Sequence, residues 1–202
     1  MGSFGIRSIL AAPFVYRAFN NLVSRNTHAT ITSHYIRPQP HDRMLDIGCG
    51  PGDMFAYLGG VEYVGFDMDE NYIEAAKKRY GERATFFCNR VSEATTKDMA
   101  AFDLGLAFGV VHHLDDDEAG ELFKLARSVL RPGGRLITID GCYVDKQSQI
   151  ARFILSKDRG QFVRTEEEYR RIASTIFDDV RVSIRHDLLR MPYTHIIMEC
   201  TA

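Results

Sequence analysis

The sequence predicts an α/β protein built on a doubly wound, mostly parallel sheet of seven strands, with helices on both faces and an antiparallel edge at its C-terminal end. Short apolar segments alternate with segments of helical periodicity along most of the 202 residues, which is typical of parallel sheets. A glycine-rich turn follows the first strand, at residues 48–52. Two strand-like segments end the chain without a helix between them, and such neighbours pair antiparallel.

The composition is that of a globular protein with a substantial core. Hydrophobic residues make up 45% of the chain, and its length fits one domain. The formal net charge of -2 provides no basic field that would attract nucleic acid. The four cysteines are scattered without a C-x-x-C pair, namely Cys49, Cys88, Cys142 and Cys200. We therefore expect reduced thiols in a cytoplasmic protein, and no apolar run is long enough to span a membrane.

Residues 8–23 have the periodicity of an amphipathic helix, with Pro13 as a break or restart. The apolar run leads into Arg17 rather than into a small-residue cleavage site, so it does not resemble a signal peptide. This helix either packs on the body of the domain or touches a membrane surface, and only three nearby arginines favour the membrane. A second short helix is predicted at residues 27–37 and ends before Pro38.

The stretch at residues 44–53 begins as an apolar strand and ends as a glycine turn. Gly48, Gly50 and Gly52 allow the backbone to turn sharply and to approach a ligand, and a helix following the turn would present free N–H groups. A dinucleotide-binding turn has the spacing Gly-x-Gly-x-x-Gly, whereas this turn has Gly-x-Gly-x-Gly with Asp46 before it. That carboxylate would repel a pyrophosphate and suits a ligand with a cationic amino group.

The second predicted strand, Glu62–Asp67, also ends in a carboxylate and precedes a helix at residues 71–79. A carboxylate at this end of the strand can accept hydrogen bonds from both hydroxyls of a ribose. Met68 would then lie against the adenine. The alternative role for Asp67 is the N-cap of the following helix, for which Asp69 is equally suited.

The third and fourth strands are predicted at residues 85–88 and 102–108. The fourth strand leaves through Phe108 into a turn with two histidines, His112 and His113, and a neutral imidazole can take a proton from an attacking hydroxyl or amine. The structural alternative is that a histidine here packs the turn and bonds a backbone group. The acids at residues 115–118 fit the first turn of the next helix better than a metal site, so no metal is expected.

The segment after the fifth strand, residues 143–164, departs from simple alternation. It combines an apolar stretch with four basic residues, which are Arg152, Lys157, Arg159 and Arg164. Arginine binds carboxylate or phosphate through paired hydrogen bonds, so this basic set predicts either a site for an anionic group or a solvated face. A capping box at Thr165 begins the last helix, and residues 180–185 and 195–200 form the terminal strands. No pattern assigns a role to the connection between those two strands.

Taken in order, these motifs resemble the class I S-adenosylmethionine-dependent methyltransferases, most strongly over residues 43–136. The matching features are Asp46-Ile47-Gly48-Cys49-Gly50-Pro51-Gly52, the acid Asp67, the exit from Phe108 to His113, and the Pro-Gly-Gly turn after Leu130. The resemblance implies a Rossmann-like fold, with S-adenosyl-L-methionine as the cofactor and S-adenosyl-L-homocysteine as its product.

The resemblance also implies roles for individual residues. Asp46 would orient the amino group of the cofactor, the glycine turn would pack its methionine part, and Asp67 would hold its ribose. The implied cofactor-binding residues are Asp46, Gly48, Cys49, Gly50, Gly52, Asp67, Met68, Asn89, Arg90 and Phe108. At Cys49 the backbone is expected to matter more than the sulfur. His113 matches the position most often filled by histidine in the family and is the implied catalytic residue.

The sequence departs from the family pattern after the third strand, where an acid commonly bonds the adenine amino group. Asn89 stands there, and its side-chain oxygen can accept the same hydrogen bond. Arg90 has no acceptor atom, so a backbone group near residues 90–91 is the alternative.

The resemblance divides this single domain into four parts: an N-terminal helical segment or lid (1–40), a cofactor-binding core (41–140), a substrate cap (141–164), and a closing helix and strand pair (165–202). It implies in-line methyl transfer to a small-molecule acceptor, with an anionic acceptor as one option. The alternatives are a non-catalytic S-adenosylmethionine-binding regulatory or interaction protein and an NAD-dependent oxidoreductase. No nucleic-acid partner is predicted, and the acceptor and the oligomeric state are left open.

Overall fold

The computed structural model describes residues 26–157 and 160–202. The predicted helix at residues 8–23 and the basic residue Arg159 lie outside the described residues. Within the described residues the α-helices are α1 (Thr27–Ile31), α2 (Glu70–Tyr80), α3 (Glu93–Thr96), α4 (Asp116–Val129), α5 (Gln149–Ser156) and α6 (Glu166–Ser174). The strands are β1 (Arg43–Ile47), β2 (Glu62–Asp67), β3 (Thr85–Cys88), β4 (Phe102–Phe108), β5 (Leu130–Tyr143), β6 (Arg164–Thr165), β7 (Asp179–Arg185) and β8 (His195–Thr201).

The main sheet has the strand order β3-β2-β1-β4-β5-β8-β7. Strands β1 to β5 pair parallel, whereas β8 pairs antiparallel with both β5 and β7. This confirms the predicted seven-stranded sheet with its antiparallel edge, to which the two-residue strand β6 adds a short pairing with β5. Because parallel strands end on one side of the sheet, the C-terminal ends of β1, β2, β4 and β5 form a single edge.

Alternating side chains along the strands fill two apolar layers, one on each face of the sheet. On β5, Leu136 belongs to the layer that packs under α4 and α6, whereas Ile137 belongs to the layer that packs under α1 and α2. Both side chains are fully buried. The sheet is therefore covered on both faces.

The helix predicted directly after the glycine turn is wrong in type and length. Residues Asp53–Tyr57 form one 3₁₀ turn, and Leu58 already has an extended backbone. The turn and Gly59 leave too few residues between them for an α-helix, whose first hydrogen-bonded turn is the costly one to form. The helix dipole expected at this corner is correspondingly small, so the ligand contacts must come from the turn itself.

Two helices begin at capping boxes, and the first of these lies where acids had been weighed against metal binding. Asp115 and Glu118 form a capping box at the start of α4, with each side chain bonded to the other residue's backbone N–H. Thr165 and Glu168 form the same arrangement at the start of α6. The acids after β4 therefore begin a helix, as predicted.

Candidate functional site

The glycine turn lies at the C-terminal end of β1 and is fastened to β2. The backbone N–H groups of Gly48 and Cys49 both donate to the carbonyl of Phe66, at 2.8 and 2.9 Å. Gly48, Gly50 and Gly52 all have positive φ, a region in which side chains are strained. These hydrogen bonds hold the turn in a conformation that glycine adopts readily.

The three glycines face different surroundings. A Cβ atom on Gly48 would lie 2.6 Å from Cγ2 of Val110, so the turn packs directly against the exit of β4. A Cβ on Gly52 would meet the rings of Tyr80 and Phe86 at 3.0 Å. By contrast, a Cβ on Gly50 would have no atom within 4 Å. The open space beside Gly50 is where a ligand can approach the backbone of the turn.

Asp46 is buried beneath this turn, with 2% of its surface exposed. The hydroxyl of Tyr63 donates a hydrogen bond to its Oδ2 atom. The bond depends on Gly65, which pairs with Asp46 across the two strands and leaves room for the Tyr63 ring. A Cβ on Gly65 would lie 2.9 Å from that ring and 2.8 Å from the sulfur of Cys49. Tyr63 and Gly65 are functional residues that the sequence prediction missed.

The second oxygen of Asp46, Oδ1, is buried and has no hydrogen-bond partner among the described residues. Burial is the main reason why the pKa of Asp46 rises to about 7, with the Tyr63 bond acting against the rise and Asp67 adding to it. A buried carboxylate oxygen without a donor is unfavourable. A cationic amino group placed there would satisfy the oxygen and favour the ionised form.

Asp67 reaches back from the end of β2 to the glycine turn. Its Oδ2 accepts the N–H of Gly50 at 2.8 Å, and its Oδ1 accepts the N–H of Asp69 at 2.9 Å. Each carboxylate oxygen has two acceptor positions, so both retain capacity for a ligand hydroxyl. The N-cap of α2 is Asp69, whose side chain accepts from Asn71 and Tyr72. The capping alternative for Asp67 is therefore taken by its neighbour.

The sulfur of Cys49 points into the protein rather than towards the open space, since it packs on Gly65. Burial, together with the charges of Asp46 and Asp67, raises the pKa of the Cys49 thiol. The thiol therefore stays protonated at neutral pH and is not a nucleophile. Its backbone is the part of the residue that belongs to the site.

Met68, Asn89 and Arg90 lie beside the end of β2, and all three are exposed. The N–H of Asn89 donates to the carbonyl of Asp67 at 3.0 Å, which places Asn89 next to the carboxylate. Its side-chain oxygen accepts the N–H of Arg90 at 2.8 Å and keeps one acceptor position. Met68 is 76% exposed, so its side chain is accessible to a ligand at this edge.

Phe108 ends β4 and contacts the N-terminal part of the described chain. The ring of His28 lies 5.8 Å from the Phe108 ring and stacks on Tyr57 at 5.2 Å. Burial lowers the pKa of His28, with Asp53 partly opposing the effect, so this imidazole is neutral at physiological pH. No sequence pattern singles out His28, which brings residues from before β1 to the edge where β4 ends.

The two histidines after β4 have different environments. Nδ1 of His112 lies 2.7 Å from Oδ1 of Asp140, and the backbone N–H of His112 donates to the same oxygen at 3.1 Å. Both residues of this pair are buried. His113 is exposed, and its ring lies 4.2 Å from that of His112. The Asp140 carboxylate thus fixes the turn that presents His113, and the signal for it was an acid in the apolar run after the Pro-Gly-Gly turn.

Residues 44–134 match the family described as the methyltransferase domain. The chain contains a class I S-adenosylmethionine-dependent methyltransferase domain. Known relatives agree with this assignment. An O-methyltransferase (cnsE) of Penicillium expansum is 32% identical over 113 residues, covering 52% of this chain and 40% of that protein. Phosphoethanolamine N-methyltransferase 1 of Arabidopsis thaliana is 28% identical over 157 residues, covering 74% of this chain and 31% of that protein.

A solved methyltransferase structure shares the fold. Phosphoethanolamine N-methyltransferase 2 of Haemonchus contortus, in complex with phosphomonomethylethanolamine and S-adenosylhomocysteine, superposes with a TM-score of 0.73 at 16% identity. The alignment covers 97% of this chain and 58% of that one. The chain also spans less than half of the length of the two relatives named above. Their activities and substrates therefore describe those proteins and not this chain.

The methyltransferase domain brings most of the sequence-predicted site residues together at one edge. Asp46, the glycine turn and Asp67 form one corner, Met68, Asn89 and Arg90 flank it, and Phe108 and His113 follow on the neighbouring strand. Among residues 26–157 and 160–202 there is no group of three His, Cys, Asp or Glu side chains that could hold a metal ion. No helix in the same part of the chain is both long and apolar enough to cross a membrane.

Arg164 does not contribute to an anion site, which was one of the two predictions for the basic set. The residue is buried, and its guanidinium donates to the carbonyls of Val111, Leu114 and Phe162 and to the carboxylate of Asp116. These contacts, with the ion pair from its second terminal nitrogen to Asp116 at 2.8 Å, use all five N–H groups. Arg164 therefore holds the histidine turn in place and is not available to a substrate.

Replacing Arg164 by alanine should destabilise the protein by about 3 kcal/mol, because buried carbonyls lose their donors. The matched control is Arg171→Ala, which removes an exposed partner of the same Asp116 carboxylate and should cost less than about 1 kcal/mol. Urea unfolding of the two variants measures the difference. Equal effects would show that the bonds from Arg164 to the turn contribute little.

Proposed function

We propose that this protein transfers a methyl group from S-adenosylmethionine to a small-molecule acceptor. The observation that supports the proposal most strongly is the buried, unpartnered Oδ1 of Asp46 beneath a turn that is open only at Gly50. A cationic amino group fits that oxygen, whereas a pyrophosphate would be repelled by it. The donor set therefore suits S-adenosylmethionine and disfavours a nicotinamide dinucleotide.

The residues would hold the cofactor as follows. Asp46 would bind its amino group, and the backbone of Gly48, Cys49, Gly50 and Gly52 would line its methionine part. The free acceptor positions of Asp67 would take the ribose hydroxyls. The adenine would lie between Met68 and the segment that begins at Asn89 and Arg90, with Phe108 closing the site from β4.

Bound S-adenosylmethionine supplies an electrophilic methyl group on a sulfonium. The chain's own contribution is to align the acceptor atom with that position and to exclude water, both large effects for a substitution reaction. His113 would take the proton released by an attacking hydroxyl or amine. The buried pair of His112 and Asp140 would hold the backbone of the turn so that His113 keeps its position.

Replacing His113 by alanine should lower kcat roughly tenfold to a hundredfold, towards the lower end of general-base effects because the electrophile is already strong. The affinity for S-adenosylhomocysteine should not change. His34→Ala, which removes an exposed histidine on the turn after α1, is the matched control. The rates are measured on an acceptor identified by the screen described next. A base role also predicts that activity in the His113 variant loses one ionisation from its pH profile; an unchanged kcat would leave His113 only a structural role.

Transfer of an isotopically labelled methyl group to a panel of small molecules tests the proposal directly. Relatives named as an O-methyltransferase and a phosphoethanolamine N-methyltransferase place oxygen and nitrogen acceptors first in the panel. Labelled product from at least one acceptor is the expected result. Binding of S-adenosylhomocysteine without transfer to any acceptor would instead favour the non-catalytic alternative.

The segments around the edge support a division into core, cap and lid. Residues 141–164 include α5, whose buried Ala151 and Leu155 face the domain and whose Ile150 and Phe153 are exposed. We propose that this segment covers the acceptor. His28, which stacks on Tyr57 and lies near Phe108, supports a lid role for the part of residues 1–40 that the structure describes.

A further inference from the structure

A cavity of about 590 Å³ lies between the first part of the predicted substrate cap and the connection between β7 and β8, to which no sequence pattern assigned a role. One wall is the segment from Val144 to Ser148 with the first turn of α5, and the other is the connection between β7 and β8, from His186 to Thr194. Its volume is that of a small-molecule site.

The cavity opens at the edge where the methyl group would be transferred. β5 and β7 both pair antiparallel with β8, so they run in the same direction and end on the same side of the sheet. Tyr193 lines the cavity and approaches Gly141 so closely that a Cβ there would lie 2.5 Å from the tyrosine oxygen. Gly141 directly follows Asp140, the partner of His112. The cavity is therefore beside the C-terminal end of β5, the strand that carries the partner of His112.

The charges that line the cavity are predominantly positive. Lys146 and Arg190 carry full positive charges, His186 adds a further ring nitrogen, and Asp145 is the one carboxylate among the lining residues. No described side chain forms an ion pair with Lys146 or Arg190. Two unpaired cations facing one cavity favour an anionic ligand.

The helix α5 begins at the same place. The Oγ atom of its N-cap, Ser148, accepts the N–H of Ala151 at 3.1 Å, and the first N–H groups of the helix have no intrahelical acceptor. Both Ser148 and Ala151 line the cavity. The positive end of the helix dipole thus adds to the charges of the two loops.

The remaining lining groups indicate the rest of the ligand. Gln147 is held by its Nε2 atom, which donates to the carbonyl of Cys142 and to Oγ1 of Thr194. Its Oε1 atom is buried and has no partner among the described residues, so it can accept a hydrogen bond from a ligand hydroxyl or amine. Leu189, Met191 and the ring of Tyr193 provide an apolar wall.

From this geometry we infer that the cavity is the acceptor site, and that the acceptor is a small molecule with an apolar body, a carboxylate or phosphate group, and a hydroxyl or amine. Lys146, Arg190 and the first turn of α5 bind the anion, and Gln147 orients the donor group. The inference rests on the proposed function and deepens it. It assigns the anion to Lys146 and Arg190, and not to Arg164 of the predicted basic set.

Calorimetric titration of the protein saturated with S-adenosylhomocysteine tests the inference with matched probes. The probes are 4-hydroxybenzoate, 4-hydroxyphenyl phosphate and the neutral 4-hydroxybenzamide. At least one anion should bind at least about tenfold more tightly than the amide, and the comparison of the two anions identifies the preferred group. The double variant Lys146→Gln/Arg190→Gln should abolish the preference, whereas Arg181→Gln, an exposed arginine at the start of β7 that pairs with Asp179, should retain it.

Two further readouts separate the inference from the proposed function. If S-adenosylhomocysteine binds but the anions bind no better than the amide, or none of the probes binds, the inference is overturned and the proposed function stands. If S-adenosylhomocysteine itself does not bind, both fall together. Unchanged cofactor affinity in the double variant shows that it is folded, so that a lost preference reports on the cavity.

Discussion

Replacing Asp67 by alanine should lower the affinity for S-adenosylhomocysteine by about a hundredfold or more. The carboxylate has free acceptor positions for two ribose hydroxyls, and hydrogen bonds to a charged group contribute about 1.5–3 kcal/mol each. The loss of both therefore corresponds to at least about two orders of magnitude. The variant also frees the N–H of Gly50, which loosens the turn and adds to the effect. Calorimetric titration measures the change.

The neighbouring carboxylate provides the control for this prediction. Asp69→Ala removes the N-cap of α2 and should lower stability by about 1 kcal/mol while leaving the cofactor affinity unchanged. A 2′-deoxy analogue of S-adenosylhomocysteine separates ribose binding from loosening of the turn. Asp67→Ala should reduce the affinity of the deoxy analogue less than that of the parent compound. Equal losses for both ligands would contradict the ribose assignment.

Replacing Asp46 by asparagine should stabilise the ligand-free protein near neutral pH and weaken cofactor binding at the same time. The folded protein holds a carboxyl whose pKa is raised from 3.8 to about 7, mainly by burial. Between these pH values the folded chain keeps a proton that the unfolded chain has released, so wild-type stability decreases as the pH rises through this window. Asparagine does not titrate and removes this decrease.

The gain in unfolding free energy for Asp46→Asn should therefore grow from about pH 4 to about pH 7 and level off at no more than about 4 kcal/mol. Urea unfolding of both proteins across this range measures the gain. A pH-independent difference would refute the raised pKa.

Cofactor binding by the same variant provides the second half of the test. Affinity for S-adenosylhomocysteine should fall at least about tenfold, because its amino group loses an ionised partner. The matched ligand is 5′-methylthioadenosine, which lacks the amino-acid part and should bind both proteins equally. A comparable loss for both ligands would place the effect in the fold rather than at the amino group.

Sequence patterns correctly predicted the strand bounds and helix caps that depend on neighbouring residues in the chain. Strand β2 has the predicted bounds because its alternating apolar run begins after Gly59 and Gly60 and ends at Asp67. Asp69, the N-cap of α2, was also one of the predicted options. The short 3₁₀ turn after Gly52 could also have been predicted, since Gly59 lies only seven positions further on, but the apolar residues after the turn were interpreted as the start of a full helix. A motif can thus indicate a ligand correctly while misplacing the element beside it.

The contacts that complete the site depend on residues distant in the chain. Tyr63 reaches Asp46 only because Gly65 stands opposite that carboxylate in the strand register, and register is not visible in a single strand. Arg164 is likewise an ordinary basic residue in the sequence, and its burial follows from carbonyls about 50 residues earlier that the fold brings around it. The pair of His112 and Asp140 has the same origin, with one residue in the turn after β4 and the other on the neighbouring strand β5.

The most direct test of the central claim is calorimetric titration of the purified protein with S-adenosylhomocysteine and, separately, with NADH. The corner formed by Asp46, Gly50 and Asp67 predicts a dissociation constant on the order of micromolar for the first ligand and no binding of the second. Binding of NADH, or of neither ligand, would contradict the account.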